Sequence, residues 1–599
     1  MFAALYDFDG GPVVPQSTEI DGTLEVKRLG SAQQVALLCT RASSAFDELS
    51  GIETLDGRTW IVGRVRLDGR DDLRARLKSR SMKVEQDVSD AKLCLLAYEA
   101  WQDRFVDHLA GDFAILVWDE TRQCLIAARD QFGVRSLFHG KNRTRGVVGD
   151  SLDWVVTQAA PDRRLDDYWF ADFLTLNCSR EFERTAYRDV SRLAPGHVLI
   201  WRPSGEDIRR YWRLEVAEPL YLDRREMYGE LFRDLVARAV ADRAPTQGKV
   251  GIAMSGGLDS TALAACAAST FGDPRRVVAY CEHYEELIDV GEDAYARLAA
   301  RHLGIDLQVE RYDDAAYDPL WQQRGIRPEE PLQTIVSAFP VSVLYRALAA
   351  RAPVWFEGEG PDNALMFDRD PYLRWLYRRG SWRRLAGTLF DYAAIKGVSG
   401  WKETLRRKSS ASGDSRDLDP APPWLSRDLI DRVRLAERIR DLGDGGDRSH
   451  PWHPRAVESL TGPIWQAYYS EYDLQEQLSP ARWRHPFVDL RVLNFMLSVP
   501  TIPWGWQKAL LREAMDGRLP DAILQRPKSP LPASPVVKKL RRHGLPQCPT
   551  SQTLGSFVDV AALPTLRSPE DEIGQALNAY VVDHWLGTMP GTGDTQGLP

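Results

Sequence analysis

The stretch Ala253-Met-Ser-Gly-Gly-Leu-Asp-Ser-Thr constrains what this chain can fold into more than any other. It joins the apolar run Lys249-Val-Gly-Ile-Ala-Met to a helix-forming segment, Thr261 to Ser269. An apolar strand, a glycine turn and a helix in that order make one unit of a parallel sheet covered by helices. Ligands of such sheets sit at the carboxyl ends of the strands. Consecutive glycines let backbone N–H groups turn toward an anion, and the start of the helix adds partial positive charge. Ser255 and Ser260 add hydroxyl donors. Asp259 beside a phosphate makes sense only with a cation between them, and Mg2+ bridges carboxylate and phosphate oxygens in this way. The Gly-Lys-Ser/Thr ending of a P-loop is missing, so this is a different phosphate-binding turn.

The same texture continues around it. A helix from Arg225 to Arg243 leads in, the strand Arg276-Val-Val-Ala-Tyr-Cys follows, and then a helix from Asp293 to Leu303. The first 212 residues read differently. Short β-branched and aromatic runs, Ala4 to Phe8, Thr59 to Leu67, Phe113 to Asp119, Cys124 to Asp130 and His197 to Trp201, are bounded by Gly, Asp and Asn. Helical periodicity interrupts at about 88–105 and 165–176. The expected organisation is a sheet-rich α+β domain over 1–212 and an α/β parallel-sheet domain over 213–585. A helical insertion is expected at about 370–450, and a disordered tail over 586–599. The insertion carries Arg374, Arg378, Arg379, Arg383, Arg384, Arg406, Arg407 and Lys408, with Trp375, Trp382 and Trp401, and its small-polar segment Ser409 to Asp419 reads as a flexible loop.

Composition excludes several classes. The net charge of -8 argues against a nucleic-acid binder. No apolar run approaches the ~18 residues of a membrane span, and the first residues lack the basic and apolar regions of a signal peptide. Seven scattered cysteines (Cys39, Cys94, Cys124, Cys178, Cys266, Cys281 and Cys548) contain no C-x-x-C pair, so neither zinc nor a disulfide framework is indicated. A soluble cytoplasmic protein is expected.

Ser255-Gly-Gly-Leu-Asp-Ser resembles the pyrophosphate loop of the adenylating ATP pyrophosphatases. Five further stretches narrow the resemblance to the asparagine synthetase family. Leu109-Ala-Gly-Asp-Phe-Ala-Ile-Leu-Val-Trp-Asp and Ala128-Arg-Asp-Gln-Phe-Gly-Val-Arg-Ser-Leu-Phe resemble its amino-terminal glutaminase domain, an Ntn-type sandwich. Trp355-Phe-Glu-Gly-Glu-Gly-Pro-Asp-Asn resembles its G-E-G-S-D-E element. Arg484-His-Pro-Phe-Val-Asp-Leu-Arg-Val-Leu and Gln525-Arg-Pro-Lys-Ser-Pro resemble its P-F-x-D-x-R and lysine-loop elements. These run in the family's order from residue 1 to about 535.

One departure matters. Family members that hydrolyse glutamine use an N-terminal cysteine whose own amine serves as base. Here position 2 is Phe2, and no cysteine precedes Cys39. The resemblance therefore implies a ligase with a silent glutaminase domain, acting on a substrate that brings its own amine. Two branches of the family do this: the β-lactam and carbapenam synthetases, and the macrolactam cyclases of lasso peptides. Glu359 stands where the former carry a tyrosine, and the Arg- and Trp-rich insertion suits a peptide, so the lasso peptide cyclase is the expected function. A β-lactam-type or ammonia-dependent asparagine-synthetase-like ligase is the alternative, and a non-catalytic scaffold is the rival outside the enzyme class. The expected partners are a precursor core peptide, a leader peptidase and a leader-binding protein, with neither nucleic acid nor membrane.

The resemblance also implies roles. ATP is expected over Met254, Ser255, Gly256, Gly257, Leu258, Asp259 and Ser260, with Gly358 and Gly360 lining the same site and the adenine near Met254. Mg2+ is expected on Asp259 and Asp362. Lys528 is expected to contact the α-phosphate and the tetrahedral intermediate, on a loop held by Pro527 and Pro530. Glu359 and Glu471 are the two carboxylates expected to take a proton from the attacking amine.

Overall fold

The computed structural model describes residues 1–15, 24–40, 48–288, 291–407, 421–528, 531–547, 549 and 551–589, with helix backbone alone over 396–407. Ser409 to Asp419, the side chains of Trp401, Arg406 and Arg407, and Lys408, Pro530 and Cys548 lie outside the described residues.

The described residues of the first half form twelve strands. They are β1 (Phe2–Asp7), β2 (Leu24–Leu29), β3 (Val35–Thr40), β4 (Leu49–Thr54), β5 (Thr59–Leu67) and β6 (Gly111–Asp119), then β7 (Cys124–Arg129), β8 (Phe138–Asn142), β9 (Arg145–Gly149), β10 (Val190–Arg192), β11 (His197–Arg202) and β12 (Gly205–Arg210). They form two antiparallel sheets, ordered β10-β8-β9-β1-β3-β2 and β12-β11-β7-β6-β5-β4. Alternation along each strand decides which layer it feeds. Phe2, Ala4 and Tyr6 of β1 meet Leu116 and Trp118 of β6 between the sheets. Ala3 and Leu5 face the other way, onto the helices Leu152–Ala159 and Asp167–Leu176. On β6, Phe113, Ile115 and Val117 likewise face the helix Asp90–Trp101. The result is a four-layered helix–sheet–sheet–helix sandwich, the expected α+β fold.

The second half is built on five parallel strands: β13 (Val250–Ala253), β14 (Val277–His283), β15 (Asp306–Arg311), β16 (Val354–Phe356) and β17 (Arg482–Arg484), ordered β15-β14-β13-β16-β17. β13 and β16 are apolar and buried, as a strand covered on both faces requires. From β13 the chain winds outward through β14 and β15, then returns to place β16 on the opposite side of β13. The strand order therefore switches direction beside β13, and the loops leaving β13 and β16 border the crevice where such sheets bind ligands. The helix Leu258–Phe271 and the helix Arg225–Arg243 pack beside the sheet through Ala264, Ala267, Val236 and Val240.

The insertion is helical, with Arg369–Arg378, Trp382–Arg407, Arg427–Val433 and Leu435–Leu442. The last helix, Glu570–Gly587, runs two residues past the expected start of the tail, because Trp585 and Leu586 are buried in the core. Residues 590–599 lie outside the described residues.

Charged side chains join the two halves. Arg135 of the sandwich pairs with Glu48 at 2.9 Å and with Glu476 of the second half at 3.0 Å. Glu48 also receives Arg484 at 3.2 Å, and Arg243 bridges Asp68 at 2.8 Å and Asp489 at 2.7 Å. Burial alone would raise the Glu48 carboxyl, but the three arginines around it hold it at about 2.

Candidate active site

A cleft of about 910 Å³ opens at the carboxyl ends of β13 and β16. Its floor is the turn after β13. Gly257 is the N-cap of the helix Leu258–Phe271, and no side chain caps it, so the first turn is left open to an anion. Ser255 Oγ lies 3.3 Å from Ser260 Oγ, which ties the two ends of the turn together. Gly256 has φ +71°, and a Cβ there would meet the Glu292 carbonyl at 2.6 Å, so the turn needs glycine to pack on the helix Glu292–Leu303. The Gly-Glu-Gly turn after β16 lies against it. A Cβ on Gly358 would stand 3.1 Å from the Ser260 amide nitrogen. The Met254 amide donates to the Tyr280 carbonyl at 2.8 Å and is not a free donor for a purine.

Asp259 and Asp362 are brought together as expected, by a residue that sequence reasoning missed. Lys508 Nζ reaches both, bonding Asp259 Oδ2 and lying 2.6 Å from Asp362 Oδ1. Lys528, mostly exposed, approaches Asp362 from the other side at 3.0 Å. Lys508 has φ +56° and Gln507 φ +46°, a backbone corner that aims the lysine into the cleft just before the helix Ala509–Ala514. A lone lysine at a helix start reads as a surface residue, so the only sequence signal was its position between the matched elements. Arg526 was also missed: it donates to the Gly256 carbonyl at 3.0 Å and docks the lysine loop on the phosphate turn.

The electrostatics sort the cleft into two ends. Burial raises Asp259, with Lys508 pulling the other way, and its Oδ1 is buried without a hydrogen-bond partner. Burial would raise Asp362 too, but Lys508 outweighs it and holds the carboxyl below its ordinary value. An orphaned carboxylate oxygen beside a second carboxylate, already bridged by a cationic nitrogen, is a donor set that fits Mg2+. The opposite end is acidic: Glu282, Glu357 and Glu359 line it beside Tyr280 and Tyr284. Burial, then Glu357, push Glu359 up to about 7, and burial takes Glu282 to the same value. Glu471 does not line the cleft. It sits on the helix Ile464–Leu478 beside Glu357 and is pushed to about 7, first by burial.

Among the described residues, the one group of acidic side chains close enough to share a metal is Asp68, Asp242 and Asp489. Arg243 and Arg491 already occupy it, with Arg491 lying 2.6 Å from Asp242 and 2.7 Å from Asp489.

A second cavity of about 620 Å³ lies between the two halves, lined by Met1, Thr40, Arg64, Asp150 and Cys178 on one side and Gln466, Asp473 and Glu476 on the other. The Met1 amine donates to Thr40 Oγ1 at 2.8 Å, and the Phe2 amide donates to Asp150 at 2.7 Å. Phe2 is wholly buried opposite Cys39. Burial pushes the Cys39 thiol up to about 11 and the Cys178 thiol to about 12, and it raises Cys94 and Cys124 as well.

Comparison with known proteins agrees with this geometry. The family model described as asparagine synthase matches residues 231–563, and that of the glutamine amidotransferase domain matches 51–212. Glutamine-hydrolysing asparagine synthetase 3 of Bacillus subtilis is 26% identical over 516 residues, covering 80% of this chain and 76% of that protein. Amidase chyE of Penicillium rubens is 28% identical over 290 residues, 46% of this chain and 42% of that protein, so the match spans less than half of each. Among the described residues no helix is long and apolar enough to cross a membrane. With the phosphate turn, its paired carboxylates and the lysine loop assembled in one cleft, and a family model matching more than half of its length, the chain belongs to the asparagine synthase family of ATP-dependent amide ligases.

Proposed function

We propose that this ligase is a peptide macrolactam cyclase of the lasso type, which joins a side-chain carboxylate of a leaderless core peptide to the peptide's own N-terminal amine. The observation that carries this reading is the contrast between a fully equipped cleft and a first half without a reactive thiol. Glutamine hydrolysis needs a thiolate. The four described cysteines of the first half are buried and raised, and Phe2 lies buried in the first strand, which favours an amine carried by the substrate itself.

In the first step the peptide carboxylate attacks the α-phosphorus of ATP and pyrophosphate leaves. The turn Ser255 to Ser260 holds the phosphates on backbone N–H groups, and Arg526 keeps that turn in place. Lys528 and Lys508 set positive charge where negative charge grows, usually the largest kind of catalytic contribution. Asp259 and Asp362 would hold Mg2+, which when bound supplies further positive charge to the phosphate oxygens. In the second step the amine displaces AMP. A free α-amine titrates near ~7.7–8.0, so a nearby carboxylate has only to take the proton released as the bond forms. The acidic end of the cleft, Glu282, Glu357 and Glu359, is the place for that transfer. Glu471 lies outside the cleft lining and serves this step only indirectly. The insertion helices carry exposed Tyr377, Trp382 and Phe390, a surface suited to a peptide. A leader peptidase and a leader-binding protein would prepare the substrate.

Incubation with Mg2+-ATP and the leaderless peptide encoded beside the gene tests this. The expected outcome is AMP release with loss of one water from the peptide and resistance of the product to carboxypeptidase, and no glutamate from added glutamine. AMP release only with a free amino acid and ammonium would replace the reading with an asparagine-synthetase-like or β-lactam-type ligase.

A further inference from the structure

Glu357 precedes the Gly-Glu-Gly turn and emerges from β16 at the acidic end of the cleft. Two tyrosines of the helix Ile464–Leu478 converge on one of its oxygens. Tyr468 donates to Oε2 at 2.7 Å, and Tyr472, one turn further along, donates to the same oxygen. Both hydroxyls occupy Oε2, and among the described residues no bond is made to Oε1, which stays open to the cleft. His485 stands behind, its Nδ1 3.4 Å from the Tyr468 hydroxyl. Burial holds that ring neutral, down to about 3, so it adds no charge to the pair. A carboxylate clamped through one oxygen, with the other presented to a substrate cleft, is oriented for a single proton transfer.

We infer that Glu357 is the proton acceptor for the attacking amine, through Oε1, and that Tyr468 and Tyr472 are its positioning residues. This rests on the cyclase reading for its substrate but not for its geometry. The nitrogen lone pair forms the C–N bond as the C–O bond to AMP breaks, the electron pair leaves on the AMP phosphate, and the proton shed by nitrogen passes to Oε1. Glu359 is the competing group. It shows no such clamp, and its carboxyl is coupled to Asp259 and Asp362 at the phosphate end. Burial raises the Glu357 carboxyl, and the hydrogen bonds from Tyr472 and Tyr468 pull it back. Glu282 from β14, Glu359 from its own turn and Glu471 from the tyrosine helix are the other carboxylates that face it. Tyr280 and Tyr345, buried nearby, stay neutral because burial raises both.

The test separates the two half-reactions in the full-length enzyme. Hydroxylamine traps the acyl-adenylate without enzymatic help in removing a proton. With the peptide as substrate, Glu357→Gln should lower macrolactam formation by ~10²–10⁴, the usual range for a lost general base, while hydroxamate formation falls less than about threefold. Tyr468→Phe combined with Tyr472→Phe removes both bonds that favour the ionised form. It should move the rising limb of the macrolactam pH profile to higher pH and leave the hydroxamate profile in place. Unimpaired macrolactam formation in Glu357→Gln overturns the assignment. So does an equal fall in both half-reactions, or the same split appearing in Glu359→Gln instead. A wild-type enzyme that releases no AMP with the peptide overturns the cyclase reading rather than the role of Glu357.

Discussion

The cavity between the halves and the cleft at the strand ends treat charge differently. In the one between the halves, charged groups pair with each other: Arg64 with Asp150 at 3.1 Å, Arg135 with Glu476 at 3.0 Å, and Arg192 with Glu330. Even Glu329, pushed up to about 8 by burial and Asp153, accepts from Ser151 and from the Leu152 amide that starts a helix. In the cleft at the strand ends the balance is unfinished. Asp259 keeps an orphaned oxygen, two lysines serve two carboxylates, and three glutamates crowd the far end. Groups that satisfy one another hold a structure together, whereas groups left unsatisfied at the end of a rigid sheet await something that is not protein.

The strongest way to break that contrast is Asp259→Asn. If the cleft charges are functional, AMP formation should fall by about 10³-fold while the thermal midpoint barely moves. A loss of less than tenfold would place Asp259 with the structural pairs of the other cavity. Arg135→Met should behave in the reverse sense. It leaves Glu48 and Glu476 buried without their main partner, and breaking such a pair is expected to lower folding stability by about 3–5 kcal/mol, read as a shift in the urea midpoint. The rate per folded molecule should stay within about threefold. The smallest effect is expected at Glu359. Its folded-state value of about 7 lies above the ordinary 4.5, so ionising it opposes folding. That contribution is intact below pH 4.5 and is lost as pH rises through 7. Glu359→Gln removes the titration, so its midpoint should gain on wild type between these values and level off above them, by no more than about 2 °C because the cleft leaves part of the side chain exposed and screened. An equal gain at all pH values would show that the substitution acts through packing.

What could be seen in the sequence was whatever local chemistry announces. Thr59–Leu67 has the strand bounds that its alternation predicts, and the serine–glycine turn lies where an apolar strand meets a helix. Asp259 and Asp362 meet, 103 positions apart, because the two loops leave neighbouring strands. What could not be seen depends on distant parts of the chain. Glu48 and Arg484 are 436 positions apart, and nothing local marks either as a partner of the other. Lys508 looks like any lysine before a helix until the left-handed corner at Gln507 turns it inward. Glu357 is hidden by its glycine neighbours, since its role comes from two tyrosines on a helix more than a hundred positions away. Glu471 illustrates the converse. Its spacing within the same helix points it beside Glu357 and away from the cleft.

The arginine pairs across the two halves carry a consequence for how this protein can evolve. Arg243 and Arg484 of the ligase half are buried against Asp68 and Glu48 of the sandwich. Stripping away the sandwich would take Glu48 from Arg484 and leave Arg243 with Asp489 alone, so the edge of the ligase sheet would lose part of the charge that balances it. The first half thus supplies counter-ions to the second, whatever reaction it performs. A domain held in place by electrostatics can lose its chemistry one residue at a time without ever becoming dispensable, and its persistence in a chain is no record of its activity.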